Sequence, residues 1–531
     1  MAPRFDAIVV GSGFGGAIVA CRLAEAGARV LVLERGRRWT PDQFPRKLGD
    51  PWIFHPRRPE RHNGWLDLRF YRGMTVAQGA GVGGGSLCYS SVVMEADPAL
   101  FQSGWPPEIT YEELRPHYEK VGRMLAVGVI PAGQRTQRYK LLQRAAEQLR
   151  YGDRFESVPL AIAFDPEWSY DLPEPLDPRH SRSFENSQGQ RQGTCVHLGN
   201  CDIGCDVKAK NTLDLNYVAL AERHGAEVRP LHLVRYVQPA EGGYRVVFDR
   251  IEDGRLARGE ERAERVVLAA GSLGSTELLL RSRDQYRTLP RVSGALGRHW
   301  SCNANFFTTG VYSRDTKVEQ SIGPTIAAGL DFMDGSIGGQ RFFVEDDGFP
   351  NVLLGALTAR LRSGRVNPFA WALQTHLRRA VEEKYPMRNL MVWLGEGADA
   401  ADGKLSLRRP LLRPWTKELR LSWDARRSAA VIDAILATHR RLTEATGGRF
   451  RAPLYWSLLR SLVTVHPLGG CKLGTSPGEA VVDHRGEVFG HPNLSVADGA
   501  IVPVAIGRNP SMTIGALAER AAALMVDAAG A

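Results

Sequence analysis

The sequence predicts an α/β protein with one domain built on a parallel sheet wrapped by helices and a second built on a mainly antiparallel sheet. Three observations carry that prediction. The first is a strand–turn–helix–strand unit at the start: an apolar strand over 7–10, the glycine turn Gly11-Ser12-Gly13-Phe14-Gly15-Gly16, an amphipathic helix over 17–26, and an apolar strand over 30–33 closed by Glu34. The second is another strand–glycine–helix unit, in which Arg265-Val266-Val267-Leu268-Ala269-Ala270 runs into Gly271-Ser272 and a helix over 275–280. The third is a change of pattern between about 301 and 465, where 341–344, 389–394, 404–407 and 418–423 read as strands separated by turns, as in an antiparallel sheet.

Each residue of the opening unit has a physical reason. Gly11 allows the tight turn, Gly13 lets the backbone approach a pyrophosphate, and Gly16 lets helix and strand pack closely, so the free N–H groups of the helix start face an anion. Glu34 falls where a carboxylate accepts both hydroxyls of a ribose. Strand before, helix after and acid at this distance predict a dinucleotide site. FAD and NAD share such a unit, so it does not choose between them.

Length, charge and cysteine content narrow the class. At 531 residues the chain exceeds one ordinary core, and two domains or more are expected. A hydrophobic content of 43% with 24% charged residues is that of a soluble globular protein. No apolar run reaches the roughly 18 residues of a membrane span. The first strand begins so soon after Met1 that no signal peptide fits before it, so a cytoplasmic protein is expected. The 7 cysteines are few and odd in number, which argues against a disulfide framework. The net charge of +10 is carried largely by Arg and spread along the chain without a nucleic-acid recognition motif. It fits a solvated basic surface, or transient contact with an anionic membrane surface, better than nucleic acid.

The segment 37–71 mixes Arg37, Arg38, Arg57, Arg58 and Arg61 with Trp39, Trp52, Phe54, Trp65 and Phe70 and shows little periodicity. Long irregular loops are often lids, and aromatics interleaved with Arg suit the entrance for an apolar substrate or a lipid surface; a loop whose aromatics pack on the domain is the plain alternative. A second glycine cluster follows, Gly79-Ala80-Gly81-Val82-Gly83-Gly84-Gly85-Ser86, where the backbone must press against something flat or anionic. Thr110 reads as the N-cap of a helix over 111–125, and 126–194 reads as irregular. Cys195, Cys201 and Cys205 invite an iron–sulfur or zinc reading, but their spacings match no ligand pattern and no fourth ligand is near, so no metal is expected. A helix over 213–223, a strand over 227–229 and a hairpin around 245–248 lead to the second strand–glycine–helix unit. In the antiparallel region Asn367-Pro368 opens a helix with Phe369, Leu373, Leu377 and Val381 on one side. The final stretch reads Val465-His466-Pro467-Leu468-Gly469-Gly470, a strand over 493–497, Asp498-Gly499, and a helix in which Asn509 is the N-cap and Pro510 the first helical residue.

The opening unit, the cluster at 79–86, Trp105-Pro106, the strand–glycine–helix at 265–280 and the final stretch together resemble the glucose-methanol-choline (GMC) flavoprotein oxidoreductases over nearly the whole chain. His466, Asn509 and Glu345 resemble the cholesterol-oxidase-like branch, other members having a second His where Asn509 stands. The resemblance implies a GMC fold, with a Rossmann-like FAD-binding domain made of 1–40, 75–100, 205–300 and 466–531. The substrate domain, with lid loops, would take 41–74, 101–204 and 301–465. It implies FAD held by Gly11, Ser12, Gly13, Phe14, Gly15, Gly16, Glu34, Gly79, Gly81, Gly84, Gly85, Ser86, Val234, Gly271, Asp498, Gly499, Asn509, Pro510 and Met512. Cys88-Tyr89 stands where some members carry a flavin-linked His, so non-covalent FAD is expected.

The implied activity is oxidation of a bulky apolar secondary alcohol such as a 3β-hydroxysteroid, with oxygen or another acceptor taking the electrons. In that pattern His466 bonds the substrate hydroxyl, as a group titrating near neutrality suits. Asn509 assists at the head of its helix, whose N-terminus suits the negative charge of a reduced flavin. Glu345 moves a proton during isomerisation of the enone product, with Asp346, Asp347 and Glu396 in similar strand-end contexts and a solvated strand end as its plain alternative. A terpenoid, long-chain or sugar alcohol, a lyase or decarboxylase on the same fold, and a redox-silent flavin-binding protein are the alternatives.

Overall fold

The computed structural model describes residues 5–47, 49–350, 389–410 and 415–530. The opening unit folds as β1 (Phe5–Val10), α1 (Phe14–Glu25) and β2 (Val30–Leu33). There follow a hairpin, β3 (Leu66–Tyr71) and β4 (Met74–Gly79), two helices, α2 (Tyr111–Met124) and α3 (Gln137–Gln148), and the short strands β5 (Phe155–Ser157), β6 (Phe184–Glu185) and β7 (Arg191–Gln192). After α4 (Tyr217–Arg223) come β8 (Glu227–Arg229), the meander β9 (His232–Ala240), β10 (Gly243–Glu252) and β11 (Arg255–Leu268), and α5 (Gly271–Leu280). The second half carries β12 (Phe306–Val311), β13 (Ala328–Asp331), β14 (Phe342–Asp347), β15 (Leu390–Gly397), the hairpin β16 (Lys404–Arg408) and β17 (Glu418–Ser422), and α6 (Ala429–Ala445). The chain closes with β18 (Arg449–Arg451), α7 (Leu454–Leu459), β19 (Leu462–Thr464), β20 (Leu494–Val496) and α8 (Ser511–Gly530).

Two sheets organise these elements. The first runs β8-β2-β1-β11-β10-β9, with β20 against β11. Its β8, β2, β1, β11 and β20 pair in parallel, while β10 and β9 extend it as an antiparallel meander. Val10 lies level with both Leu33 and Leu268, and Leu268 with Val496. Gly11, Glu34, Gly271 and Asp498 therefore leave the sheet at one edge, the carboxyl edge, where ligands bind in open α/β sheets. The second sheet, β18-β12-β15-β14-β13-β5, is antiparallel throughout.

Three local expectations are corrected. The first helix starts at Phe14 and is buried around nearly its whole circumference, because it is packed between the sheet, α4 and α8; it has no wet face to make it amphipathic. The stretch 126–194 contains α3, capped by the Thr136 hydroxyl on Tyr139 N–H and burying Tyr139, Leu142 and Ala146 at helical spacing. The segment 37–71 ends in β3, and Trp39, Phe44 and Trp65 pack edge to face in a small core of their own. The helix expected after Asn367-Pro368 lies outside the described residues.

Candidate active site

A cavity of about 1400 Å³ runs from the carboxyl edge of the parallel sheet to one face of the antiparallel sheet. It exceeds the roughly 300–1,000 Å³ of a drug-sized site and so has room for a dinucleotide and a substrate together. Along one side it is lined by Gly11, Ser12, Gly13, Phe14, Gly15, Glu34, Gly79, Gly84, Gly85, Val234, Gly271, Asp498, Gly499, Asn509 and Pro510. Glu34 receives Ser12 N–H at 3.1 Å, the Ser12 hydroxyl at 2.7 Å and Gly36 N–H at 2.9 Å, which holds its carboxylate still at the end of β2. Asp498 accepts Gly271 N–H at 2.8 Å and Ala500 N–H at 2.7 Å, tying the end of β20 to the start of α5; burial pushes its carboxyl up to about 6.

Four expected cofactor residues stand behind this wall. A Cβ on Gly16 would lie 2.1 Å from the Gly11 carbonyl oxygen, and one on Gly81 would lie 2.5 Å from the Trp39 ring, so both glycines serve close packing within the protein. The Ser86 hydroxyl is engaged by Gly83 and Leu213, and Met512 is buried against α2. None of the four lines the cavity.

The residues present fit FAD. No side chain caps α1, which leaves its first N–H groups for an anion. A Cβ on Gly85 would meet nothing within 4 Å, and one on Gly13 nothing nearer than 3.8 Å, so these two glycines open on space that the protein itself does not fill. Asn509 is a buried residue of the cavity wall, and its Oδ1 is an orphaned acceptor with no hydrogen-bond partner among the described residues.

At the other end of the cavity six polar side chains meet: His466 and Asn509 line the wall, and Asn303, Asn305, Glu345 and Glu396 stand behind them. His466 Nδ1 lies 3.1 Å from Glu396 Oε1 and 3.0 Å from Asn305 Nδ2. Asn305 Oδ1 receives Val465 N–H, His466 N–H and the Thr464 hydroxyl, which anchors the imidazole's own backbone. Asn509 Nδ2 donates to Glu396 Oε1 at 2.9 Å and to Glu345 Oε2 at 3.4 Å, and Asn303 Nδ2 donates to Glu396 Oε2 at 3.3 Å. Asn303 also receives Gly507 N–H at 2.8 Å, which fixes the turn that presents Asn509. The expected capping role of the Asn509 side chain is thereby corrected: its amide donors are drawn to two carboxyls and its oxygen caps nothing.

The alternative of a solvated strand end for Glu345 also fails, because β14 and β15 are interior strands and both Glu345 and Glu396 are fully buried. Two buried carboxyls bridged by one amide cannot both ionise cheaply. Burial first, and then the charge of Glu396, hold the Glu345 carboxyl well above the usual carboxylate range. Glu396 accepts from Asn303 and Asn509, and the acceptor Glu396 and the donor Asn305 Nδ2 compete for the imidazole Nδ1; with Nδ1–H given to Glu396, Nε2 is the nitrogen left with a lone pair. His466 lines the cavity, and its Nε2 makes no hydrogen bond among the described residues. Such an arrangement can receive the proton of a bound hydroxyl.

Sequence reading brought His466, Asn509 and Glu345 forward and left out Asn303 and Asn305. It held Glu396 only as one of several strand-end acids. The available signal was alternation: Glu396 follows Leu394 and Val392 on one face of β15 as Glu345 follows Phe343 on β14.

A dinucleotide cradle that opens onto a buried histidine–carboxyl cluster defines a cofactor-dependent oxidoreductase, and comparison with known proteins agrees. Residues 400–518 match the family model described as GMC oxidoreductase, and residues 9–44 match one described as NAD(P)-binding Rossmann-like domain. The chain is 31% identical to a cholesterol oxidase of Acinetobacter baumannii over 97% of this chain and 93% of the relative. It is 29% identical to a cholesterol oxidase of Mycobacterium tuberculosis (99% and 91%) and 26% identical to a paromamine 6'-oxidase of Streptomyces fradiae (98% and 90%). A crystal structure of pyridoxine 4-oxidase from Mesorbium loti superposes with a TM-score of 0.62 at 17% identity, covering 98% of this chain and 99% of that one. The chain belongs to the GMC oxidoreductase family, in its cholesterol-oxidase-like branch: it is an FAD-dependent oxidoreductase acting on the CH–OH group of donors.

Proposed function

We propose that this enzyme oxidises a bulky, apolar, sterol-like secondary alcohol to its ketone and that Glu345 then moves the double bond of a 5-ene product into conjugation. The observation that carries the reading is His466, held at Nδ1 by Glu396 and set in a cavity wall that also presents Phe307, Ile326 and Leu394. The similarity to two cholesterol oxidases supports the substrate class. When bound, FAD supplies the acceptor for the carbinol hydride. His466 Nε2 takes the hydroxyl proton as the hydride leaves, and Glu396, 3.1 Å from Nδ1, accepts a hydrogen bond from the imidazolium so formed. Asn509 keeps the two carboxyls apart and in register. Incubation with a 3β-hydroxy-5-ene steroid and chromatography of the products tests this reading; absence of any 3-ketone would refute it.

Isomerisation separates Glu345 from the oxidation step. The C4 protons of a 5-en-3-one are acidified by the carbonyl and the neighbouring double bond, and a carboxylate of raised proton affinity is a stronger base once ionised. Glu345→Gln keeps the shape and removes the base. Oxidation is expected to fall modestly, while conversion of the 5-en-3-one to the 4-en-3-one falls far more. In the unsubstituted enzyme that conversion rises as pH climbs through the elevated Glu345 value, because only the ionised form accepts a proton. Equal isomerisation rates with and without the substitution would remove Glu345 from this role.

We also assign FAD a non-covalent attachment. Cys88 lies on the cavity wall, but burial pushes its thiol up to about 11, which leaves it a poor nucleophile. Acid precipitation is expected to release all flavin into the supernatant, and yellow colour kept by the pellet would contradict it. The cavity rim carries Phe70 and Trp415, 75% and 78% exposed, beside Arg72, Lys417 and Arg420, a set suited to transient contact with an anionic lipid surface. No helix among the described residues is long and apolar enough to cross a membrane. All seven cysteines are free, which suits a reducing, cytoplasmic setting.

A further inference from the structure

The cavity has a second polar end. Strand alternation turns Asp347 to the same face as Glu345, while Asp346 between them points to the other face, onto Arg138 and the N–H groups of Ala327 and Ala328. Phe343 pairs with Glu396, and Asp347 pairs with Val392, four strand positions further on. At 3.2–3.4 Å per residue that places Asp347 roughly 13 Å from the register of Glu396. Asp202, in the 3-10 turn Cys201–Ile203, lines the cavity with Asp347. One oxygen of Asp202 accepts the Ser90 hydroxyl at 3.0 Å. Asp347 is only 8% exposed, and its Oδ1 accepts Gly348 N–H at 2.9 Å, while its Oδ2 has no partner among the described residues. A carboxyl oxygen that opens on the cavity from a largely buried side chain is placed to accept a hydrogen bond from a ligand.

Electrostatics make the two acids act together. Burial pushes Asp202 up to about 6, and burial together with the charge of Asp202 raises Asp347 well above the usual carboxylate range. Two desolvated acids on one cavity favour sharing a proton over ionising together, and such a pair both donates and accepts. A hydroxyl group, which also does both, is the complementary ligand.

We propose that Asp202 and Asp347 form a distal subsite that binds a second hydroxyl of the substrate, so that the preferred substrates are apolar diols whose remote hydroxyl reaches this end while the other meets His466. This rests on the alcohol-oxidising site proposed above and narrows its substrate class.

The test compares matched pairs of mono-ol and diol on steroid, terpenoid and linear skeletons, reading kcat/KM of the FAD-loaded enzyme. On whichever skeleton is oxidised, the diol is expected to be preferred by about tenfold or more, the discrimination that a hydrogen bond to a charged group supports. Asp347→Leu is expected to bring the ratio of diol to mono-ol to about one, and Asp347→Asn to keep part of the preference; flavin absorbance and Tm report whether each variant is folded. A preference on the terpenoid or linear pair with an inert steroid pair would refute the sterol reading and uphold the subsite. Equal rates for diol and mono-ol in the unsubstituted enzyme, or a preference that survives in folded Asp347→Leu, would overturn the subsite, and the first of these needs no variant.

Discussion

His466→Ala is expected to retain FAD with its visible spectrum while flavin reduction by alcohol slows by a factor on the order of 10²–10⁴, the range for removal of a positioned acid–base group. The imidazole has its Nδ1 held between Asn305 and Glu396, and its backbone is pinned by the Asn305 oxygen, so truncation removes the base without loosening the turn that carries it. Anaerobic stopped-flow reduction reads the step directly. Glu396→Gln is expected to slow the same step less and to shift its pH profile, because an amide in place of the carboxylate no longer stabilises the imidazolium. Unchanged reduction in folded, FAD-loaded His466→Ala would give His466 a purely structural role.

Gly15→Ala is expected to yield no FAD-containing protein. The new Cβ would lie 1.5 Å from the carbonyl oxygen of Ala497, and no rotamer moves a Cβ, so α1 must leave the end of β20. That displacement breaks the join between the first turn of α1 and the Asp498 loop on which the cradle depends. Gly85→Ala is the control. Its Cβ meets no protein atom within 4 Å, so the apoprotein is expected to keep its thermal stability while its affinity for FAD falls. Expression, flavin content and thermal melting of the two variants check the contrast; a yellow, normally stable Gly15→Ala protein would contradict the packing described.

The parts legible in the sequence were those in which local spacing is itself the mechanism. Gly11, Gly13 and Gly16, the strands around them and Glu34 needed no distant partner to be read, and the structure sets Glu34 against Ser12 at the sheet edge where the spacing put it. Strands over 341–344 and 389–394 were visible as pattern, but their continuation to Asp347 and Gly397 and their register were not. Which acid meets which histidine depends on Phe343 pairing with Glu396 and on Asn303 and Asn305 arriving from the start of β12, contacts between segments far apart in the chain. For the same reason a solvated strand end stayed open as the alternative for Glu345, when flanking strands on both sides bury it. Asn509 before Pro510 has the local signature of a cap, and the pull of two carboxyls on its amide overrides that signature. The helix α3 was missed because Arg, Gln and Lys dilute its apolar face, although Thr136 and the spacing of Tyr139, Leu142 and Ala146 mark it.

The most direct test of alcohol oxidation at this cavity is anaerobic mixing of the FAD-loaded enzyme with 3β-hydroxysteroids, terpenoid alcohols, long-chain alcohols and sugars, following the yellow flavin absorbance. The predicted result is rapid bleaching by a 3β-hydroxysteroid, with ketone formed in proportion and little response to sugars. Flavin that dithionite bleaches but no alcohol of the panel does would contradict the account.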